Sequence, residues 1–108
     1  MIDKDPHGKS QHEPGAKLDA GKIRAGLMIN GFRRALLEVA KVTTYGAAKY
    51  TPNGWQDVPD GEARYTDALF RHLLAGEECD PESDLLHAAH AAWNALAILE
   101  LKLRRWEK

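Results

Sequence analysis

The chain has 108 residues, 44% of them hydrophobic and 29% charged, which is the balance of a globular protein with one domain. Fifteen Lys and Arg against sixteen Asp and Glu leave a formal charge of -1, which argues against bulk-charge binding to a nucleic acid polymer. The single cysteine, Cys79, excludes an internal disulfide and a cysteine-rich zinc site, and it fits a reducing, cytoplasmic setting. Polar residues interrupt the most apolar stretch, and the N-terminus lacks an apolar core, so we expect neither a membrane span nor a secretory signal.

The first part of the chain is rich in glycine and proline. Residues 1–16 contain almost no apolar side chain, which predicts a flexible arm. The remaining residues, 17–108, are predicted to form a single all-α domain. Its first segment mixes glycines with Leu, Ile and Met, and it is expected to be ordered but mostly extended, because a glycine inside a helix costs about 1 kcal/mol.

Apolar residues recur at helical spacing in three segments, roughly 31–50, 62–75 and 82–106. Asn30 is a plausible N-cap for the first helix. Because no alternating strand pattern of useful length occurs, the sequence predicts an all-α fold with about three helices.

Local signals refine these helices. Thr43, Thr44 and Gly46 are expected to kink or interrupt the first helix. TPNGW at 51–55 predicts a turn, and Ser83 or Asp80 is expected to cap the last helix. That helix is apolar around most of its circumference, which three helices do not cover. We therefore expect a homodimer or higher oligomer that completes a helical bundle.

A row of polar residues crosses the apolar last helix. His87, His90 and Asn94 have the spacing i, i+3 and i+7, which places them on one face. Burying these groups costs a few kcal/mol unless each finds a partner. That partner is either a metal or ligand, or a carboxylate from a neighbouring segment, and the sequence leaves both alternatives open.

Acidic residues are concentrated just before this row. Carboxylate oxygens suit Mg²⁺ or Mn²⁺, and histidine among the ligands favours Mn²⁺ or another transition metal. The alternative is an exposed loop with ordinary capping acids. Glu38 on the first helix is either an ion-pair partner of Lys41 or a ligand for the same centre. The acidic residues of the loop are Glu77, Glu78, Asp80, Glu82 and Asp84.

Two further groups could contact a ligand. Lys17, Lys22 and Arg24 surround Gly21, and cations beside small residues can bind phosphate, although a solvated basic segment is the alternative. Trp55 in a polar turn could stack on a base or cover the end of the bundle.

Three stretches together resemble a known family. They are KLDAGKIRAGL, ALLEVAKVTTYGAAKYTPNGW and RYTDALFRHLLAGEECDPESDLLHAAHAAWNALAIL, within residues 17–101. The chain is similar to the phage-associated dATP/dGTP diphosphohydrolase N-terminal domain family, which is related to MazG-like all-α nucleoside triphosphate pyrophosphohydrolases. The resemblance implies metal-dependent hydrolysis of a (deoxy)nucleoside triphosphate, a purine dNTP above all, to monophosphate and pyrophosphate. It also implies Mg²⁺ or Mn²⁺ as cofactor and an oligomer of two or four chains.

The resemblance assigns roles to residues of this chain. Glu82 or His72 would serve as base or orient a ligand, while Trp55 and Asn94 would contact the nucleobase. The metal ligands would be Glu38, Glu77, Asp80, His87 and His90. The phosphate-binding residues would be Lys17, Lys22, Arg24, Lys49 and Arg71.

One departure from the MazG-like pattern matters. The paired-carboxylate motif EExxE is missing, and histidines stand where the last helix should carry ExxD. Two other functions therefore remain as alternatives: a protein that sequesters a nucleotide without hydrolysis, and a helical interaction module.

Overall fold

The computed structural model describes residues 3–107, and within them it contains four α-helices, one 3₁₀ helix and no β-strand. The all-α prediction is confirmed. The helices are α1 (Ala25–Gly31), α2 (Arg33–Lys49), α3 (Gly61–Leu74) and α4 (His87–Trp106), and the 3₁₀ helix is Gly54–Asp57. Across 3–107, every helix is too short or too polar to cross a membrane.

The chain divides into two compact units, an N-terminal unit up to Gly31 and a helical unit from Phe32 onward. In the N-terminal unit, the Asp5 carboxylate accepts backbone N–H groups of His7, Lys9 and Lys17 at 3.0, 2.8 and 3.1 Å. These bonds, that from Lys9 above all, lower the pKa of Asp5. The segment is thus a series of turns around one carboxylate, and its flexibility stays a prediction.

The first segment of the predicted domain, which begins at residue 17 and was expected to be mostly extended, contains α1 instead. Gly26 lies in the first turn of this helix and Gly31 is its last residue. Glycine costs least at helix ends, which explains why the glycine content misled the prediction. Asn30 lies inside α1 and caps nothing in α2, whose N-cap position is Phe32 with non-helical backbone angles.

Helix α2 is continuous, so the interruption predicted at Thr43, Thr44 and Gly46 is wrong, while the alternative, a kink, stays a prediction. The hydroxyls of Thr43 and Thr44 donate to the carbonyls of Val39 and Ala40, one turn earlier, at 3.0 and 2.9 Å. These bonds let the threonines stay within the helix. The bounds of α2 and α3 otherwise lie within about two residues of the predicted ones.

Helix α4 begins at His87, five residues later than predicted. Residues 77–86 form a loop in which the Asp80 N–H donates to the Leu85 carbonyl at 2.8 Å and the His87 N–H donates to Glu78 at 2.9 Å. Asp84 has a φ of 59°, which no helical residue adopts. Neither Asp80 nor Ser83 therefore caps α4, and Leu86 occupies its N-cap position.

Helix α4 is the centre of the helical unit, since both α3 and α2 pack against it. The 3₁₀ helix is attached by an aromatic cluster in which Trp93 of α4 lies 5.7 Å from Trp55 and 5.5 Å from Tyr65, between ring centres. The Tyr65 hydroxyl also donates to the Trp55 carbonyl at 2.6 Å. These contacts attach the 3₁₀ helix to α3 and α4.

Candidate active site

Three histidines converge where α3 ends and α4 begins. His72 lies in the last turn of α3, while His87 and His90 occupy the first turn of α4. The Nδ1 atoms of His72 and His87 are 2.8 Å apart. The rings of His72 and His90 are stacked, with centres 4.5 Å apart and planes within 6°. His87 and His90 are buried and His72 is half-buried, so the three rings form one shielded group.

The 77–86 loop adds oxygen atoms to these rings. Glu77 Oε1 lies 3.1 Å from His87 Nε2, and Ser83 Oγ lies 2.7 Å from His90 Nε2. Asp80 accepts the Ser83 hydroxyl at 2.9 Å, and its Oδ2 is 3.6 Å from His90 Nε2. We call these six residues the histidine–carboxylate cluster: His72, Glu77, Asp80, Ser83, His87 and His90.

A second ion pair adjoins the cluster. The Lys49 ammonium donates to Glu82, and a hydrogen bond with the Tyr45 hydroxyl also helps to hold the pKa of Glu82 low. The same pairing raises the pKa of Lys49. Tyr45 meets the His90 ring edge-on, with centres 6.2 Å apart. A lysine and an ionised glutamate thus stand beside the buried histidines.

Two histidines of the cluster, His72 and His90, have lowered pKa values. Burial lowers the pKa of His72, and the charges of His90 and His87 lower it further. Burial also lowers the pKa of His90, although Asp80 opposes this shift. Near neutral pH the His72 and His90 rings therefore favour the neutral form, whose nitrogen lone pair can bind a metal ion or accept a proton.

The lowered histidine pKa values predict a pH-dependent stability for the protein in EDTA. Below the ordinary histidine pKa of 6.5, the unfolded chain binds protons that the folded chain excludes. We therefore expect the free energy of unfolding, measured in urea, to be highest above pH 6.5 and to fall as the pH is lowered through the folded pKa values. His72→Gln should make the decline shallower, and a stability that rises on acidification would contradict this assignment.

Not every predicted ligand lies in the cluster. Glu38 forms an ion pair with Lys41 at 2.8 Å, which is one of the two alternatives that the sequence left open. Asn94 is buried and donates its side-chain N–H to the His90 carbonyl at 2.8 Å. Trp55 packs in the aromatic cluster, with the Arg104 guanidinium 5.9 Å above its ring. Base contacts by Asn94 and Trp55 stay predictions.

The predicted phosphate ligands fall in two places. Arg71 is exposed beside His72, and its positive charge contributes to lowering the pKa of that histidine. Lys49 adjoins the cluster through Glu82. The remaining three, Lys17, Lys22 and Arg24, belong to the N-terminal unit.

Sequence reasoning missed two members of the site. Ser83 was expected to cap a helix, yet its hydroxyl links His90 to Asp80. Tyr45 was given no role in the site, yet its hydroxyl helps to hold the pKa of Glu82 low. The Asp80–Ser83 spacing is itself a turn signal, because an aspartate can accept the N–H of a residue shortly after it.

The donors of the cluster suit a divalent ion by type, since they combine imidazole nitrogens with carboxylate oxygens. Each donor is bonded to a neighbouring side chain, and within residues 3–107 no three of the His, Cys, Asp and Glu side chains converge as metal ligands do. Metal binding at this cluster would therefore require its side chains to exchange these bonds for bonds to the ion.

Comparisons with known proteins identify the family of the chain. Residues 12–108 match the family described as dATP/dGTP diphosphohydrolase, N-terminal. A dATP/dGTP diphosphohydrolase of Salmonella phage PMBT28 is 38% identical over 90 residues, which is 81% of this chain and 29% of that relative. The chain thus spans less than a third of the relative's length. No solved structure matches the chain.

Proposed function

Because the chain belongs to the dATP/dGTP diphosphohydrolase N-terminal family, we propose that it takes part in hydrolysing a deoxynucleoside triphosphate to a monophosphate and pyrophosphate. The single observation that carries the proposal is the convergence of three histidines and two carboxylates at the junction of α3 and α4. The names of the family and of its phage relative support a purine dNTP as substrate. The resemblance predicted from the sequence is confirmed, while the relation to MazG-like enzymes stays a prediction.

We assign the metal, Mg²⁺ or Mn²⁺, to the loop and the start of α4. Glu77, Asp80, His87 and His90 would hold it after exchanging their present hydrogen bonds for bonds to the ion, since their oxygen and nitrogen atoms are suitable donors by type. Glu38 would join only by leaving Lys41. A bound divalent ion supplies charge neutralisation for the triphosphate and makes a bound water more acidic.

His72 suits the general base better than Glu82 does. Its lowered pKa keeps the ring neutral near pH 7, so it can accept the proton of the attacking water. Glu82 is a weaker base, because Lys49 and Tyr45 both lower its pKa. In this step the water oxygen bonds to the α-phosphorus, the bond from the α-phosphorus to the bridging oxygen breaks, and the water proton passes to His72.

The flanking cations would bind the phosphates. Arg71 is exposed next to His72 and can reach solvent-borne anions. Lys49 would release Glu82 to pair with a phosphate instead. Lys17, Lys22 and Arg24 remain further phosphate candidates.

We also propose that the protein is a homodimer or homotetramer. Several large apolar side chains of the helical unit are exposed, as expected for a surface that a second copy of the chain covers. Leu73 and Leu74 of α3 are 62% and 84% exposed. Sedimentation equilibrium measures the mass, and a monomer at micromolar concentration would contradict this proposal.

The hydrolase proposal is tested by pyrophosphate release from each of the four dNTPs with Mn²⁺, with Mg²⁺ and with EDTA. We expect release only with metal, and fastest from dATP or dGTP. Thermal stabilisation by a nucleotide without any product would favour sequestration, and the absence of both effects would favour a helical interaction module. Either of these results would overturn the proposal.

A further inference from the structure

A groove lies beside the histidine–carboxylate cluster, within the helical unit. It is a shallow groove open to solvent, with a volume of about 440 Å³. One wall is a single face of α2, with Leu37, Ala40, Thr44 and Tyr45 at helical spacing. The other wall belongs to the 77–86 loop, through Ser83 and Leu85. We call this cavity the α2 groove.

The α2 groove is continuous with the cluster. Ser83 lines the groove and lies 2.7 Å from His90 Nε2. Tyr45 also lines it, and the same ring meets His90 edge-on. A ligand that reaches the histidines with one end can therefore lie along α2 with the other.

The lining of the groove suits a nucleoside. Leu37, Ala40 and Leu85 offer apolar surface to the flat faces of a base. The hydroxyl of Thr44 donates to the Ala40 carbonyl, which leaves its oxygen lone pairs to accept an N–H group. Lys41, which also lines the groove, forms an ion pair with Glu38. Because this pair neutralises the lysine charge, the groove favours a neutral nucleoside over a phosphate.

The two residues expected to bind the base are engaged elsewhere. The Trp55 ring packs edge-on against Trp93 and Tyr65, and the side-chain N–H of Asn94 is donated to its own helix. A nucleoside whose triphosphate lies at the histidine–carboxylate cluster therefore needs another apolar surface near that cluster.

We propose that the α2 groove binds the nucleoside part of the substrate, while its triphosphate lies at the histidine–carboxylate cluster. This inference rests on the proposed function for the choice of a nucleotide as occupant. The groove would then contribute to affinity and base preference, and the cluster would perform the cleavage.

The test compares Ala40→Trp, which fills the groove, with Ala35→Trp, which adds the same side chain at an exposed position of α2 outside it. Equilibrium binding is measured for dATP and for inorganic triphosphate, which has no nucleoside, and far-UV circular dichroism checks the fold. Ala40→Trp should weaken dATP binding by about tenfold or more and leave triphosphate binding within about twofold. Ala35→Trp should change neither. Thr44→Trp provides a second filling variant at an exposed position.

Unchanged dATP binding in both filling variants would overturn the groove assignment, even if the enzyme turns over normally. Equal loss of dATP and triphosphate would overturn it too, because the effect would then not concern the nucleoside. If the wild-type protein binds dATP through the groove but releases no pyrophosphate, this assignment stands and the proposed hydrolysis fails. If it binds no nucleotide, both fail.

Discussion

His90→Ala is expected to lower kcat for dNTP hydrolysis by about 10³-fold or more and to leave the helices intact. The His90 ring stacks on His72, contacts Ser83 and faces Asp80, so its removal disturbs the proposed base and the metal ligands together. The measurement is steady-state pyrophosphate release, with far-UV circular dichroism as the check on folding.

Two further variants make this result specific to the cluster. His12→Ala removes an exposed histidine of the N-terminal unit and should leave kcat unchanged. Asp80→Asn retains an oxygen that can accept the Ser83 N–H and hydroxyl but removes the negative charge. It should therefore lower turnover severely without opening the loop. Full activity in both His90→Ala and Asp80→Asn would remove the cluster from the mechanism.

Trp93→Ala is expected to lower the free energy of unfolding by about 3 kcal/mol. Trp93 joins α4 to Trp55 and Tyr65, and these contacts connect the 3₁₀ helix and α3 to the central helix. The buried hydrophobic residues of the described chain are small, namely Val42, Ala89, Ala91 and Ala97. A large ring therefore contributes an unusual share of the packing, and urea unfolding measures the loss.

Trp106→Ala is the matched control, because it removes the same side chain from the last turn of α4, where it is 69% exposed. Its effect should be within about 0.5 kcal/mol. Equal destabilisation by the two substitutions would show that the aromatic cluster does not anchor the unit.

The helices were predictable where the apolar pattern alone determines them. The bounds of α3 were found within one residue, although Ala75, the predicted last residue, is extended and lies just outside the helix. The start of α4 was predicted five residues too early, because the sequence Asp-Pro-Glu-Ser is typical of the beginning of a helix. Backbone hydrogen bonds between Glu78 and His87 and between Asp80 and Leu85 hold that segment as a loop. The spacing of apolar residues does not predict such hydrogen bonds.

The part of the site that lies on α4 was predictable from helical spacing, whereas its contacts with other segments were not. The i, i+3 spacing on α4 identified His87 and His90 as neighbours on one face. The contact of His87 with His72 depends on how α3 packs against α4, and the bond of His90 to Ser83 depends on the fold of the loop. Periodicity within one helix contains neither piece of information.

The most direct test of the proposed cleavage is hydrolysis of dATP or dGTP in H₂¹⁸O with Mn²⁺ or Mg²⁺, followed by mass spectrometry of both products. Attack of water on the α-phosphorus predicts one ¹⁸O atom in the deoxynucleoside monophosphate and none in the pyrophosphate. Label in the pyrophosphate would place the attack on the β-phosphorus, and no products with any metal would contradict the assignment of this cluster as a hydrolase site.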